Sequence, residues 1–196
     1  MKDRGNSKMN NKNNSTDLKE MNVPEKWIGL PSLRFRKYRG WINKVKPGIC
    51  GTYSSAVLLH DAVYQKTKVN LKKEFLVNGM KTVIDDFMPY KGTFIWDLVY
   101  GLKQMLKDVP FWKIRTGIIS ERIVPQILGG SHPVPIVVGT TILLNSSYKN
   151  HWLLVYAYGY NEEGKLYFKA YDNHGKYDAI VPASQTLNCV WLETRE

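Results

Sequence analysis

The hydrophobic pattern of this chain changes period near Pro133, and that change limits the folds open to it. Before Pro133, apolar residues recur every three or four positions, which is typical of amphipathic helices, over residues 71–87, 95–106 and 120–128. After it, β-branched and aromatic residues cluster in short runs that favour strands, at 134–138, 151–158, 165–171, 177–181 and 189–192. Helices first and strands second predict an α+β fold with a twisted antiparallel sheet in the C-terminal half.

A further helix is predicted to begin at Cys50. The stretch 47–56 reads PGICGTYSSA, and the apolar positions that follow recur at offsets of three and four, so this helix buries one stripe. A thiol at a helix N-terminus lies beside unpaired N–H groups and the positive end of the dipole, which both favour the thiolate. The alternative is a structural cysteine, because free cysteine is among the most buried residue types. Cys50 is a nucleophile only if the chain also supplies a base.

The length and composition point to one compact domain preceded by a polar tail. A chain of 196 residues with 43% hydrophobic content can bury one full core. Residues 1–20 are rich in Asn, Lys, Ser and Asp, so they are predicted to be a disordered tail, and residues 21–196 the folded domain. No stretch approaches the roughly 18 apolar residues of a membrane span, and the N-terminus lacks the apolar core of a secretory signal. The expected location is the cytoplasm, or outside the cell if a signal has been removed.

The net charge of +11 is concentrated ahead of Cys50. The basic residues of this flank are Lys26, Arg34, Arg36, Lys37, Arg39, Lys44 and Lys46, and Trp27, Phe35, Tyr38 and Trp41 are interleaved with them. Such a mixture would allow nucleic-acid binding, but no recognisable nucleic-acid motif accompanies it, and a solvated flank is the commoner outcome. Nucleic acid is therefore not the favoured partner. The same charge could instead lower the pKa of the thiol or attract an acidic substrate.

Among the four histidines, His151 is the best candidate for the base. It begins the predicted strand 151–158, so a rigid scaffold holds it at a sheet end, where clefts form. His60 follows Cys50 on the same helix at a distance on the order of 15 Å along the axis, which is too far for a hydrogen bond. His132 lies in a Gly-Gly-Ser-His-Pro loop with no carboxylate nearby in sequence. A disulfide between Cys50 and Cys189 stays possible from sequence and would end the catalytic hypothesis.

Two residues after the next predicted strand could orient the imidazole of His151. If the loop between the two strands has an even number of residues centred between Glu162 and Glu163, His151 faces His174, and Asp172 is its diagonal neighbour. Asp172 is then predicted to fix the imidazole tautomer, while Asn173 points to the opposite face. An odd loop or a bulge exchanges the two faces, so Asn173 stays open as the alternative.

Three stretches together resemble the papain-like cysteine peptidases: GICGTYSSA at a helix start, NHWLLVYAYGY on a strand, and YFKAYDNHG. Within that group they are most similar to the bacterial domains that cleave double-glycine leader peptides of bacteriocins. The resemblance covers roughly Trp41 to the C-terminus. It implies a helical N-terminal lobe that carries the nucleophile and packs on a C-terminal antiparallel sheet that carries the base. It also implies a triad of Cys50, His151 and Asp172, a peptide or protein substrate, no metal and no organic cofactor.

Two features depart from the family pattern. The family places a Gln shortly before the nucleophile to hold the oxyanion, whereas the nearest amide-bearing residue here is Asn43. Asn43 is therefore the candidate second donor beside the Cys50 backbone N–H. No transporter segment follows the domain, so the leader-processing role itself is not implied.

The predicted chemistry is acyl transfer through a thioester, as in a thiol-dependent hydrolase of peptide or isopeptide amides. An acyl transferase or a deamidase could use the same three groups, because the acceptor of the acyl group can be an amine instead of water. The non-enzyme alternative is a papain-like module that binds a peptide or partner without turnover, through the basic flank ahead of Cys50.

Overall fold

The computed structural model describes residues 22–44, 48–90, 92–109 and 111–194. The predicted tail at 1–20 lies outside the described residues, and so does Lys46 of the basic flank. In the described part, no helix is both long enough and apolar enough to cross a bilayer.

The N-terminal half is mainly helical, as the periodicity predicts. Its helices are α1 (Ser32–Phe35), which continues into a 3-10 turn (Arg36–Gly40), α2 (Cys50–Thr67), α3 (Lys73–Val83) and α4 (Ile95–Met105). A fifth helix, α5 (Ser120–Leu128), has the predicted bounds and stops at Gly129. The predicted helix start at Cys50 is confirmed, but the predicted single buried stripe is wrong: α2 is buried on all sides from Gly51 to Ala62, because it packs between the sheet and the other helices.

In the part of the chain that the structure describes, seven strands form one antiparallel sheet. They are β1 (Ile28–Gly29), β2 (Trp112–Gly117), β3 (Ile136–Thr140), β4 (His151–Tyr160), β5 (Leu166–Tyr171), β6 (Ala179–Pro182) and β7 (Thr186–Thr194). The strand order is β2-β7-β3-β4-β5-β6, and β1 pairs with β4. The α+β class is confirmed, and the long strand β4 lies in the interior of the sheet.

The strand β2 is one that the sequence analysis did not predict. It precedes α5 and pairs with β7 at the edge of the sheet, from Trp112 opposite Thr194 to Gly117 opposite Cys189. Its buried Trp112 and half-buried Ile114 alternate with exposed Lys113 and Arg115. This period-two signal is present in the sequence but spans only a few residues.

Opposite faces of the sheet pack against different helices. One face carries Trp152, Leu154, Tyr156 and other apolar side chains that pack against α2 and its neighbouring helices. The other face carries Leu153, Val155 and Phe168, which α5 covers with Val124 and Leu128. Because strand side chains alternate, β4 is buried on both faces, and its first residue, His151, is held by a rigid element.

Candidate active site

The cysteine is the first residue of α2, and the backbone around it is tightly packed. Gly48 has a φ of +129°, a conformation that favours glycine, and it lies two residues before the helix. Gly51, the residue after the thiol, is approached closely: an added Cβ would lie 2.6 Å from Thr93 Cγ2 and 2.8 Å from Leu98 Cδ2. The close neighbours are side chains of this protein itself. Cys50 is half-buried, and both Cys50 and Cys189 are free thiols.

The expectation that the helix N-terminus lowers the pKa of the Cys50 thiol is wrong. Burial raises the pKa of the Cys50 thiol, and hydrogen bonds from the backbone N–H groups of Trp152, Gly51 and Cys50 itself oppose that effect without reversing it. The carboxylate of Asp85 raises the pKa further. Desolvation of the sulfur by burial therefore outweighs the hydrogen bonds that would favour the thiolate.

His151 is the first residue of β4 and is only 7% exposed. Its Nε2 lies 2.9 Å from the main-chain carbonyl oxygen of Asp172. Because a carbonyl only accepts, Nε2 carries the proton of the neutral ring, and Nδ1 keeps its lone pair. Burial lowers the pKa of His151 to about 4, although the Asp172 carbonyl acts in the opposite direction. At neutral pH the imidazole is therefore an uncharged base.

Cys50 and His151 line one cavity of about 570 Å³. The backbone N–H of Trp152, the residue after His151, contacts the sulfur, so the start of β4 lies directly beside the thiol. Phe94 and Trp96 form another part of the wall, with their rings stacked at 4.7 Å and each about half exposed. The volume falls within the roughly 300–1,000 Å³ typical of ligand pockets.

Asp172 contacts the imidazole through its main chain and not through its carboxylate. Its Oδ1 accepts hydrogen bonds from the backbone N–H groups of His174 (2.8 Å) and Lys176 (2.9 Å), and its Oδ2 accepts one from the Tyr148 hydroxyl (3.1 Å). The sequence hypothesis assigned the contact to the carboxylate. The carboxylate instead closes the turn after β5, because two backbone donors of that turn need an acceptor.

The side chain of Asn173, the alternative to Asp172, contacts Trp152 and Ser54. Its φ of +48° turns the chain out of the sheet, and its buried side-chain Nδ2 donates to the Trp152 carbonyl (2.9 Å) and the Ser54 hydroxyl (3.3 Å). Asn173 therefore holds the main chain at Trp152 through its carbonyl, and the N–H of the same residue contacts the Cys50 sulfur. Its main-chain carbonyl accepts from the Asn43 N–H at 2.8 Å. That bond places Asn43 beside the turn, although Asn43 is not among the described residues that line the cavity.

The pairing register of β4 and β5 near His151 matches the predicted one, but the even loop assumed in the prediction is not the cause. The loop between β4 and β5 runs over residues 161–165, an odd number, because Tyr160 pairs with Leu166. A bulge between Val155 and Ala157 then shifts the register by one residue, so that Leu154 lies opposite Tyr171. Two departures from the assumed hairpin cancel, and the expected side-chain faces return at the end of the strands.

The aromatic partner of His151 is a residue that no sequence pattern indicates. The Tyr148 ring stacks on the His151 ring at 5.5 Å with an interplanar angle of 15°, and the His174 ring lies 4.4 Å from His151. His174 thus approaches the site, as its predicted register suggests. Tyr148 precedes the strand in an irregular loop, so no periodic signal indicates where its ring lies.

The contacts of His60 and His132 give these residues no role in the chemistry at Cys50. His60 is buried, with Nδ1 at 2.7 Å from the Tyr38 hydroxyl and Nε2 at 2.8 Å from Asn70 Oδ1. His132 is exposed and contacts Ser131. Among the described residues, no group of three or more His, Cys, Asp or Glu side chains is arranged to hold a metal ion.

No model of a known protein family matches the sequence, and no curated protein matches it. Among solved structures, the chain is similar to the Amb a 11 cysteine protease of ragweed pollen in its proform, with 13% identity over 90% of this chain and 67% of that one, and a TM-score of 0.44. It is also similar to the bromelain protease from Ananas comosus in complex with the E64 inhibitor, with 13% identity, coverages of 86% and 99%, and a TM-score of 0.42. A recombinant stem bromelain precursor shares 14% identity, with coverages of 92% and 74% and a TM-score of 0.43. At these identities and TM-scores, the solved structures carry no conclusion about the chemistry of the site, which depends on its own geometry.

Proposed function

We propose that this protein is a papain-like, thiol-dependent hydrolase that cleaves a peptide or isopeptide amide, with Cys50 as nucleophile and His151 as base. One observation carries the proposal: the first residue of α2 and the first residue of β4 line the same cavity. The imidazole of His151 is held there with Nδ1 unprotonated. A structural cysteine has no need of an oriented, unprotonated imidazole in the same cavity.

The first half of the reaction forms a thioester. As the Cys50 sulfur attacks the amide carbonyl carbon, its proton passes to His151 Nδ1, so that the thiolate exists only as the carbon–sulfur bond forms. The negative oxygen of the tetrahedral intermediate accepts from the Cys50 backbone N–H and from the side chain of Asn43. The proton on Nδ1 then moves to the amine nitrogen, the carbon–nitrogen bond breaks, and the amine leaves.

The second half returns the enzyme to its starting state. Water attacks the thioester carbon and gives a proton to His151 Nδ1. Collapse of the second tetrahedral intermediate breaks the carbon–sulfur bond, the Cys50 thiol recovers the proton, and a carboxylic acid is released. The Asp172 carbonyl holds the ring through Nε2 and stabilises the transient imidazolium. The main chain of Asp172 thus takes the third role of a triad.

The proposal is tested by incubating the full chain with a peptide library and identifying new termini by mass spectrometry. Cleavage should be lost in Cys50→Ala and in His151→Ala, and Asn43→Ala should lower the rate by about 10²-fold if its amide binds the oxyanion. Cys189→Ala is the matched control and should cleave at the parent rate. Cleavage that survives Cys50→Ala would overturn the proposal.

The likeness to double-glycine leader peptidases rests on sequence motifs and supplies one specific substrate to try. Peptides with a Gly-Gly pair should be cleaved after the pair if the likeness extends to specificity, and peptides with Gly-Ala at that place provide the comparison. Release of a hydroxamate in the presence of hydroxylamine would show that the acyl group can pass to an amine. The domain bounds and the cytoplasmic location stay predictions from the sequence.

A further inference from the structure

We propose that one face of this protein binds the surface of anionic lipid bilayers, independently of the proposed catalysis. This basic face consists of the 3-10 turn after α1 and the segment 66–75, which comprises the end of α2, the connection to α3 and the start of α3. Its cations are Arg36, Lys37, Arg39, Lys66, Lys68, Lys72 and Lys73. The sequence shows the first cluster ahead of Cys50, and the fold adds the second.

Side-chain contacts bring the two segments together. Lys37 Nζ lies 4.0 Å from the centroid of the Tyr64 ring, and Lys68 Nζ lies 5.8 Å from the same centroid. Lys73 Nζ donates to the Gly40 carbonyl at 3.2 Å, next to Arg39. Ammonium groups from both segments therefore share a small area of surface.

Within the two segments of the face, one carboxylate opposes these cations, that of the exposed Glu74. The ion pairs in the described part of the chain join Arg34 to Asp61, Lys81 to Asp86, Arg115 to Glu193 and Lys165 to Glu163, and none includes a cation of the basic face. Asp61, the carboxylate beneath the face, is fully buried and engaged by Arg34. The charge is available to a partner, and an anionic bilayer attracts each such residue by about 1 kcal/mol.

Large apolar side chains are exposed beside these cations. Leu33 is 74% exposed and precedes Arg36 and Lys37 by three and four positions. Phe75 (64% exposed) and Val69 (52% exposed) lie in the second segment of the face, close in sequence to Lys72 and Lys68. Cations with exposed apolar neighbours are typical of surfaces that rest in the headgroup region of a bilayer, where both kinds of side chain are accommodated.

A bilayer fits this face better than nucleic acid does. Base stacking would need free aromatic rings, yet Tyr38 is fully buried, and Trp41 packs edge-on against Tyr38 and His60. The half-buried Tyr64 ring is approached by two lysines of the face. The rings that make the sequence compatible with nucleic acid are thus used inside the fold, while the exposed side chains are aliphatic or a single Phe.

The test is sedimentation of the full chain with phosphatidylcholine vesicles that either contain or lack phosphatidylglycerol. We expect binding to the anionic vesicles only, weakened by added salt. The triple variant Arg36→Glu, Arg39→Glu, Lys68→Glu should bind about a hundredfold more weakly, because each basic residue near the bilayer accounts for about fivefold. The control variant Lys103→Glu, Arg122→Glu, Lys113→Glu makes the same change in net charge on α4, α5 and β2 and should bind like the parent.

A second variant separates a bilayer from other polyanions. Leu33→Ala with Phe75→Ala keeps every charge, so it should weaken vesicle binding severalfold and leave retention on a phosphate-bearing cation-exchange resin unchanged. Equal loss of vesicle binding in the triple variant of the basic face and in the control variant would overturn the proposal, because net charge alone would then explain binding. Binding of a nucleic-acid duplex more tightly than the anionic vesicles would also overturn it, as would no binding to either kind of vesicle. Circular dichroism melts establish that each variant is folded.

Discussion

The imidazole Nε2 of His151 lies 2.9 Å from the main-chain carbonyl of Asp172, while the Asp172 carboxylate binds two backbone N–H groups and the Tyr148 hydroxyl. The group that orients the base is therefore part of the peptide backbone. A side-chain substitution at Asp172 can therefore affect the imidazole only by shifting the turn or by changing the charge near the ring.

Asp172→Asn and Asp172→Ala should consequently differ. The asparagine retains an oxygen that accepts from His174 and Lys176, so amide cleavage should fall by less than about tenfold. The alanine leaves two backbone donors without their acceptor, which should cost about 1–3 kcal/mol of unfolding free energy and most of the activity. Rates with the cleaved peptide and denaturant melts measure both. A loss near 10⁴-fold in Asp172→Asn would instead identify the carboxylate as the orienting group, as in a Ser-His-Asp triad.

Acid should destabilise the protein through His151. Its pKa is about 4 in the folded state and about 6.5 in the unfolded chain, so between these values the unfolded state binds more protons. The free energy of unfolding should fall as the pH drops from about 6.5 to 4, by up to roughly 3 kcal/mol from this group. Urea melts at several pH values test this. His151→Gln removes the group and should flatten that part of the pH dependence, while His60, whose pKa burial also lowers, is present in both proteins.

The two cysteines should alkylate at different rates. Burial raises the pKa of Cys50, which lines the cavity, and raises that of the fully buried Cys189 to about 12. We expect iodoacetamide to label Cys50 first, at a rate that climbs with pH through the alkaline range, and Cys189 only after unfolding. Mass-spectrometric mapping against pH gives both profiles.

The same labelling experiment shows whether Cys50 and His151 form a neutral thiol–imidazole pair or a thiolate–imidazolium ion pair. His151→Ala should leave the Cys50 profile nearly unchanged, because the parent imidazole is uncharged, yet lower amide cleavage by about 10²–10⁴-fold. If rapid labelling near pH 6 is present in the parent and lost in His151→Ala, the resting protein holds a thiolate and the neutral-pair assignment is wrong.

The Tyr148 ring should control the protonation of His151. The ring stacks on the imidazole and contributes to its burial, and burial is the main cause of the low pKa of His151. Tyr148→Ala should therefore raise that pKa toward about 6.5, whereas Tyr148→Phe keeps the ring and should shift it little. NMR titration of the His151 ring protons measures the pKa directly. If both variants raise the pKa of His151 equally, the Tyr148 hydroxyl and not its ring keeps that pKa low.

Gly51→Ala should destabilise the nucleophile turn. The added Cβ would meet Thr93, which is held because its hydroxyl donates to the Gly48 carbonyl and its own carbonyl accepts from Trp152 Nε1. Overpacking of this kind costs about 1–3 kcal/mol, and the melting temperature should fall accordingly. Gly40→Ala is the control, since no heavy atom lies within 4 Å of the Cβ it would add. Similar melting temperatures for the two variants would contradict the packing seen at Gly51.

Much of the fold follows from local pattern. The helices α3 to α5 carry helical periodicity, and the strands β3 to β7 are rich in β-branched and aromatic residues. The start of α2 at Cys50 and both ends of α5 can also be read from the sequence. The two-residue strand β1 and the edge strand β2 cannot, because their pairing with β4 and β7 depends on distant segments. A short pattern becomes a strand only when the sheet supplies its partner.

The sequence by itself determined the residue types of the candidate site and the elements that carry them: a cysteine at a helix start, a histidine at a strand start and Asp172 after the next strand. Tertiary structure decided the register of β4 and β5, through an odd loop and a compensating bulge that cannot be read from hydrophobic period. It also placed the main-chain carbonyl of Asp172 against the imidazole, while the carboxylate binds backbone N–H groups of the turn. It also decided the protonation of the pair, because the desolvation that raises the pKa of Cys50 and lowers that of His151 comes from segments distant in the chain. Local sequence sets helix dipoles and charges, but only the packed fold sets how much water remains around a thiol and an imidazole.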